Sequence, residues 1–157
     1  MTFTQRLSVL FTVLGLFIAA PSAHAGHIGG YLGDSIFTYG MTAVPSKAQL
    51  TGGLDAAMNF TPLFELGAFW NHCDEQTLAG AELLFYPLIY KLVYLEAKGA
   101  SATMQNGSTH FAYGPGAGAN LEIIPMLISI GVDATYYFYT TPNLNNLSIL
   151  GNLKVWF

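Results

Sequence analysis

The chain has 157 residues, of which 52% are hydrophobic and 9% are charged, and its formal net charge is −4. Ordinary soluble domains contain about 25% charged residues, so this composition argues against a water-soluble domain. The acidic balance also argues against a basic nucleic-acid-binding face, and no nucleic-acid partner is expected.

The first 25 residues have the pattern of a secretory signal peptide. Arg6 supplies the positive charge, and the apolar run Leu7–Ala20 is shorter than the roughly 20 residues of a membrane-spanning helix. The Ala-His-Ala triplet that ends at Ala25 is typical of a cleavage site. We therefore divide the chain into a signal peptide, 1–25, and one domain, 26–157, which has four lysines, nine carboxylates and a net charge of −5.

The domain is apolar, but it contains no run of 18 or so apolar residues that could form a transmembrane helix. Backbone polar groups in lipid must be hydrogen-bonded within the protein, and a closed β-barrel meets this need with alternating strands. The composition therefore favours a transmembrane β-barrel.

Alternation of apolar and polar residues predicts the strands. It is clearest in Leu147–Phe157, where Leu153, Val155 and Phe157 share one face with other apolar residues and Lys154 lies on the opposite face. Glycines at inward positions of the sixth strand suit a narrow barrel. The predicted strands of this all-β, eight-stranded, antiparallel up-and-down barrel are 27–37, 47–60, 63–72, 77–86, 89–98, 109–124, 127–139 and 147–157.

Three prolines follow similar glycine-containing segments: Pro62, Pro87 and Pro125. Proline cannot donate a hydrogen bond to a sheet, so each should mark a turn. We interpret them as three short periplasmic turns, which imply eight strands. The other four connections are rich in glycine or polar residues and are predicted to be extracellular loops: Gly40–Ser46, Cys73–Gln76, Gly99–Ser108 and Thr140–Asn146.

The inward face carries more acids than bases. These groups could form a proton or cation site, or a hydrogen-bonded plug. Eight strands leave room only for side chains or one small ligand, which favours the plug and disfavours a small-solute channel. We expect no metal and no cofactor. The predicted polar network of the lumen is Asp55, Glu65, Glu82, Glu96, Lys98, Glu122, Asp133 and Lys154.

The signal peptide, the alternating strands Tyr113–Ile123 and Ile128–Phe138, and the terminal Trp156-Phe157 together resemble the small bacterial outer-membrane β-barrel superfamily. This group includes the OmpA transmembrane domain, OmpX and the opacity-like proteins. The resemblance spans 26–157 and is one of pattern. It implies a non-enzymatic surface protein of a Gram-negative outer membrane, with a structural, adhesive or resistance role. The short predicted loops weaken the adhesive version, and no tether role is expected because no peptidoglycan-binding domain follows.

The resemblance also implies partners. Phe157, with the outward Leu153 and Val155, resembles the signal that the barrel assembly machinery recognises, and periplasmic chaperones would act during export. Outer-membrane lipid and lipopolysaccharide would surround the folded barrel.

The alternative function is a lipid-modifying barrel enzyme. Ser108 and His110 could form a nucleophile–base pair, with Glu96 or Asp133 as the orienting acid. Outer-membrane lipid A deacylases carry a His-x-Ser order, whereas this chain has Ser-x-His, which counts against catalysis. We interpret His110 as a histidine at a loop edge.

Overall fold

The computed structural model describes residues 25–39, 48–87, 91–141 and 143–157. The predicted signal peptide apart from Ala25, the predicted loop 40–46, and the first residues of the predicted second and fifth strands lie outside these ranges. No helix within them is long and apolar enough to cross a membrane.

Eight antiparallel strands in the described ranges form a closed barrel, in which each strand pairs with its sequence neighbours. The last strand closes against the first, with Ile28 paired to Val155 and Asp34 paired to Ile149. The prediction of an all-β, eight-stranded antiparallel barrel is confirmed. The strands are β1 (Gly26–Tyr39), β2 (Gln49–Thr61), β3 (Phe64–His72), β4 (Gln76–Phe85), β5 (Val93–Met104), β6 (Thr109–Ile124), β7 (Ile128–Tyr139) and β8 (Leu144–Trp156).

The largest error in the predicted boundaries concerns β5, which was expected at 89–98 and runs from Val93 to Met104. The segment 99–103 reads as a loop because all its residues are small. In the barrel it continues the ladder, with Ala100 and Ala102 buried inside and Ser101 exposed outside. Small side chains alternate here as large ones do elsewhere, so the predicted loop 99–108 shrinks to 105–108. The start of β8 also differs from the prediction, at Leu144 instead of 147.

The two faces of the sheet differ in polarity. At the end of β8, Leu153, Val155 and Phe157 are exposed on the outer face, whereas Lys154 and Trp156 are buried inside. This is the facing that the sequence predicts for this strand. Other large apolar residues exposed on the outer face include Ile28, Leu32, Leu50, Leu54, Leu66, Trp70, Leu83, Leu95, Leu121 and Val132.

The connections alternate between the two ends of the barrel. Pro62, Pro87 and Pro125 lie in the β2–β3, β4–β5 and β6–β7 connections, which an up-and-down topology places at one end, here called the turn end. The opposite end, here called the loop end, carries the β1–β2, β3–β4, β5–β6 and β7–β8 connections.

The interior divides into two zones. An apolar zone near the loop end packs Phe37, Phe69, Leu78, Tyr137 and Leu144 against one another and against smaller residues. An ionic zone occupies the turn-end half, where charged side chains lie beside a second aromatic cluster. The ionic zone comprises His27, Asp55, Glu65, Glu82, Lys91, Glu96, Lys98, Asp133 and Lys154.

Inward glycines make room for the ionic zone. Glu96 is directly opposite Gly116, and Tyr94 is opposite Gly118. A Cβ added at Gly118 would lie within 2.6 Å of three atoms of the Tyr94 side chain. A narrow barrel can therefore hold these large inward side chains because the facing positions have none.

Candidate functional site

The centre of the ionic zone is a lysine that faces three carboxylates. The Lys98 ammonium lies 3.0 Å from Glu96 Oε2, 3.4 Å from Asp133 Oδ1 and 3.7 Å from Glu82 Oε2. The three carboxylate side chains are fully buried, and that of Lys98 is nearly so. Burying charges away from water is costly, and this clustering of opposite charges offsets part of the cost.

Hydroxyl groups complete this cluster. Tyr94 donates a hydrogen bond to Asp133 Oδ2 at 2.9 Å, and the Thr135 hydroxyl contacts both Glu96 and Asp133 Oδ1, the latter at 3.1 Å. Tyr94 and Thr135 thus reach Asp133 Oδ2 and Glu96 Oε1, two carboxylate oxygens that Lys98 does not contact. The result is a cross-linked group spanning β5 and β7, two strands that do not pair directly.

A histidine organises the turn-end side of the ionic zone. His27 Nε2 lies 2.8 Å from Asp55 Oδ2, and His27 Nδ1 lies 2.9 Å from Glu65 Oε2. The Tyr31 hydroxyl also donates to Asp55 Oδ2, at 2.7 Å. The contact of His27 Nε2 with Asp55 is a hydrogen bond, and the short distance from Nδ1 to Glu65 allows an ion pair when the imidazole is protonated. These contacts join β1, β2 and β3 inside the barrel.

Lys91 enters the same group from the β4–β5 connection. Its ammonium contacts Glu65 and donates to Asn59 Oδ1 at 2.9 Å. It also lies over the Trp156 ring, 4.7 Å from the ring centroid, and over the Tyr86 ring at 5.1 Å. Such contacts attract a cation to the electron-rich face of an aromatic ring.

Lys154 is fully buried but lacks a carboxylate within ion-pair distance among the described residues. Its ammonium lies 4.4 Å from the centroid of the Tyr94 ring. It therefore has an aromatic contact but lacks the carboxylate contacts of Lys98, whose ammonium also lies over the Tyr31 and Phe69 rings.

Seven of the eight residues predicted for the lumen network are buried in the barrel. Glu122 is the exception, and its prediction is wrong. It is exposed beside the β6–β7 turn, where its carboxylate accepts a weak hydrogen bond of 3.4 Å from the Met126 backbone N–H. The sequence alternation continues to Glu122, but β6 extends past the start of β5, where Val93 pairs with Ala119, so no lumen surrounds it.

The predictions from sequence omitted His27 and Lys91 from the network. The sequence pattern could have identified His27, because alternation along the first strand places it on the inner face. Lys91 offers no such signal, since it lies in a connection and reaches the interior through its long side chain.

The proposed Ser108–His110 pair lies at the loop end. His110 Nε2 is 3.1 Å from Ser108 Oγ, and its Nδ1 is 2.6 Å from the Thr141 hydroxyl. A threonine therefore occupies the position that an orienting acid takes in a catalytic triad. Glu96 and Asp133, the acids considered for that position, lie in the ionic zone with Lys98.

Three side chains of the ionic zone belong to residue types that bind metal ions in proteins. Ligand atoms of His27, Asp55 and Glu82 lie within 4.8 Å of one another. However, His27 and Asp55 already pair with each other, and the Lys98 ammonium lies 3.7 Å from Glu82. A cation would compete with positive charge that the protein itself supplies, so these donors do not favour a metal site.

Comparison with solved structures finds small membrane barrels. The Neisserial surface protein A structure matches 85% of this chain and 97% of its own, with a TM-score of 0.68 and 13% identity. The attachment invasion locus protein of Yersinia pestis matches 87% and 99%, with a TM-score of 0.54 and 11% identity. A de novo designed transmembrane β-barrel matches 83% and 96%, with a TM-score of 0.51 and 13% identity.

No protein-family model and no curated protein sequence matches the chain. The structural similarity therefore shows the fold alone, a small closed eight-stranded β-barrel.

Proposed function

We propose that this chain is an outer-membrane barrel protein without enzymatic activity, with a structural or surface-interaction role. The observation that carries the proposal is the inversion of polarity across the sheet. Large apolar side chains such as Leu32, Leu50 and Leu54 are 60–70% exposed outside, while Lys98 and Lys154 are buried inside. Water would not favour this distribution, whereas a bilayer would.

The proposal includes a route and an orientation. Residues 1–25 would direct export as a cleaved signal peptide. The assembly machinery would recognise Leu153, Val155 and Phe157, whose side chains are exposed on the outer face beside the seam. The turn end would face the periplasm, because turns on that side of such barrels are short. Lipid and lipopolysaccharide would surround the outer face.

The interior would act as a plug. The ionic zone and the apolar zone supply buried side chains from one end of the barrel to the other. An eight-stranded barrel of this kind has an interior filled by side chains. We therefore expect no conduction of small solutes.

The loop end would provide the contacts of a surface role. A pocket of about 350 Å³ opens there, lined by Glu75, Asn106, Ser108 and His110 together with apolar residues. Two structural neighbours are named as a surface protein and an attachment protein. The hydroxyl and amide groups of this pocket suit a polar, exposed partner.

Gel mobility tests the barrel itself. The protein, refolded in detergent, should migrate differently before and after boiling, because a closed barrel resists SDS until it is heated. A protein that stays soluble without detergent and shows no mobility shift would contradict the proposal. Planar-bilayer recordings should show no steady conductance, and a stable open channel would contradict the plug.

Lipid analysis tests the enzymatic alternative. Mass spectra of lipid A should be the same in cells that express the wild-type protein, the His110→Ala variant or an empty vector. A lipid A species that appears with the wild type and disappears with His110→Ala would replace the proposed role with a lipid-modifying one.

A further inference from the structure

The β6–β7 hairpin ends in an exposed apolar tip. Its four large side chains are Ile123, Ile124, Met126 and Leu127, which are 55%, 45%, 57% and 46% exposed. Pro125 between them is exposed too. In water this tip would present a contiguous apolar surface, which soluble surfaces rarely do.

The tip projects beyond the neighbouring strand and has a fixed shape. Val93, the first residue of β5, pairs with Ala119, and the Asn120 N–H bonds to the Leu92 carbonyl, so residues 121–124 of β6 continue past these two residues. The turn is closed by a 3.0 Å hydrogen bond from the Leu127 N–H to the Ile124 carbonyl, with Met126 at a φ of 62°. The apolar side chains are therefore held outward at the turn end.

The tip belongs to a wider difference between the two ends. At the turn end, Leu63, Leu92 and Phe157 are also exposed, at 37%, 44% and 55%. The exposed residues of the β3–β4 and β5–β6 connections at the loop end are polar or glycine: Asp74, Gln105, Asn106 and Gly107.

The apolar surface of the tip is continuous with the outer face. Leu121 on β6 is 64% exposed, and Ile130 and Val132 on β7 are 43% and 59% exposed. No charged side chain interrupts this surface between the tip and the outer face except Glu122, among the residues that the structure describes. Carboxylates are tolerated near the interface of a bilayer better than at its midplane.

We propose that the turn end is immersed in the interfacial region of the inner leaflet, with the β6–β7 tip packed among lipid headgroups and the first acyl carbons. This inference rests on the proposed function, because it needs the outer face to contact lipid. We assign lipid as the molecule that covers the tip, because the apolar surface of the tip continues that of the outer face of the barrel. The barrel thus sits low in the bilayer, with only its loop end in water.

Site-specific fluorescence tests this depth. In a Cys73→Ser background, single cysteines at Met126, Asn106 and Leu54 would carry an environment-sensitive fluorophore in vesicles of phosphatidylethanolamine and phosphatidylglycerol. The label at Met126 should show blue-shifted emission, quenching by shallow spin-labelled lipid and loss of quenching by aqueous iodide. The label at Asn106 should respond mainly to iodide, and the label at Leu54 to deeply spin-labelled lipid. A second tip variant, Leu127→Cys, replaces Met126→Cys if the latter fails the gel-mobility test of folding.

The outcomes separate the inference from the proposed function. If the tip label is quenched by iodide as strongly as the label at Asn106, while the label at Leu54 responds to lipid, the inference fails and the membrane barrel stands. If the label at Leu54 also responds to iodide, the proposed function fails. If the tip label is shielded from both quenchers, a second copy of the chain covers it, and the inference is overturned.

Discussion

Replacing Lys98 with methionine removes the cation on which the centre of the ionic zone depends. Its ammonium lies 3.0 Å, 3.4 Å and 3.7 Å from three buried carboxylates. Methionine keeps most of the side-chain volume, so the loss should be electrostatic. Removing one member of a buried ion pair costs about 3–5 kcal/mol, and three acceptors on one cation place Lys98→Met towards the upper part of that range.

Lys154→Met is the matched control. This lysine is also fully buried, but its ammonium contacts the Tyr94 ring instead of a carboxylate. A desolvated cation–π contact contributes about 2 kcal/mol, so the control should lose less stability than Lys98→Met. Both substitutions remove one positive charge from the same interior, and both remove an aromatic contact, since Lys98 also lies over the Tyr31 and Phe69 rings at 5.6 Å and 5.4 Å. The carboxylate contacts are therefore the main difference between the two variants.

The measurement is reversible unfolding by guanidinium chloride in phospholipid vesicles. The fluorescence of Trp70 and Trp156 reports the transition, and gel mobility reports the folded fraction. The triple variant Lys98→Met/Glu96→Gln/Asp133→Asn should recover part of the loss, because it replaces two of the three stranded charges with neutral polar groups and leaves Glu82. A loss below about 1 kcal/mol for Lys98→Met, or one equal to that of Lys154→Met, would refute this account of the ionic zone.

Three further outcomes follow from the barrel. Gly116→Ala should destabilise the folded barrel by about 1–3 kcal/mol, because the added Cβ would clash with the Glu96 carboxylate. Gly151→Ala is the control and should change stability little, since the nearest atom to its Cβ would be the Leu32 carbonyl oxygen at 3.4 Å. Equal losses of unfolding free energy in vesicles would contradict this account of the packing. Burial raises the pKa of the Cys73 thiol, so disulfide-exchange reagents at neutral pH should react slowly with the folded barrel and rapidly in denaturant, and equal rates would show an open thiol. Glu122→Gln should leave stability within about 0.5 kcal/mol of the wild type, because the side chain is exposed, and a larger loss would restore it to the lumen network.

The fold follows from period-two alternation, which requires no knowledge of strand pairing. The inward facing of Asp133 and Lys154 could be read from the sequence, because each lies in a strand whose other face is apolar. The boundary of β5 could not, because alternation among alanine, serine and glycine carries little polarity contrast. Pro62, Pro87 and Pro125 marked three of the turns, but proline is not a reliable marker by itself, because Pro115 lies inside β6 opposite Ala97.

The side-chain contacts within the ionic zone could not be predicted from the sequence, for a different reason. Which acid faces which base depends on the stagger between strands, and that stagger is set by the closure of the whole barrel. Thus Glu65 receives both His27 and Lys91 at the turn end, although neither is close to it in sequence. Likewise Glu122 continues an inward pattern but lies where the neighbouring strand has already ended.

Seven of the eight strands bring a charged side chain into the ionic zone, and β6 brings the glycines that make space for them. A partly assembled sheet would therefore hold carboxylates and ammonium groups whose counter-charges arrive on strands not yet in place. A slip of one residue at the β1–β8 seam would turn every side chain of the slipped strand to the other face. For β8, such a slip would move Lys154 out of the interior and Leu153 into it. We therefore expect the ionic zone to disfavour wrong registers when the barrel closes, in addition to stabilising the barrel once it is complete.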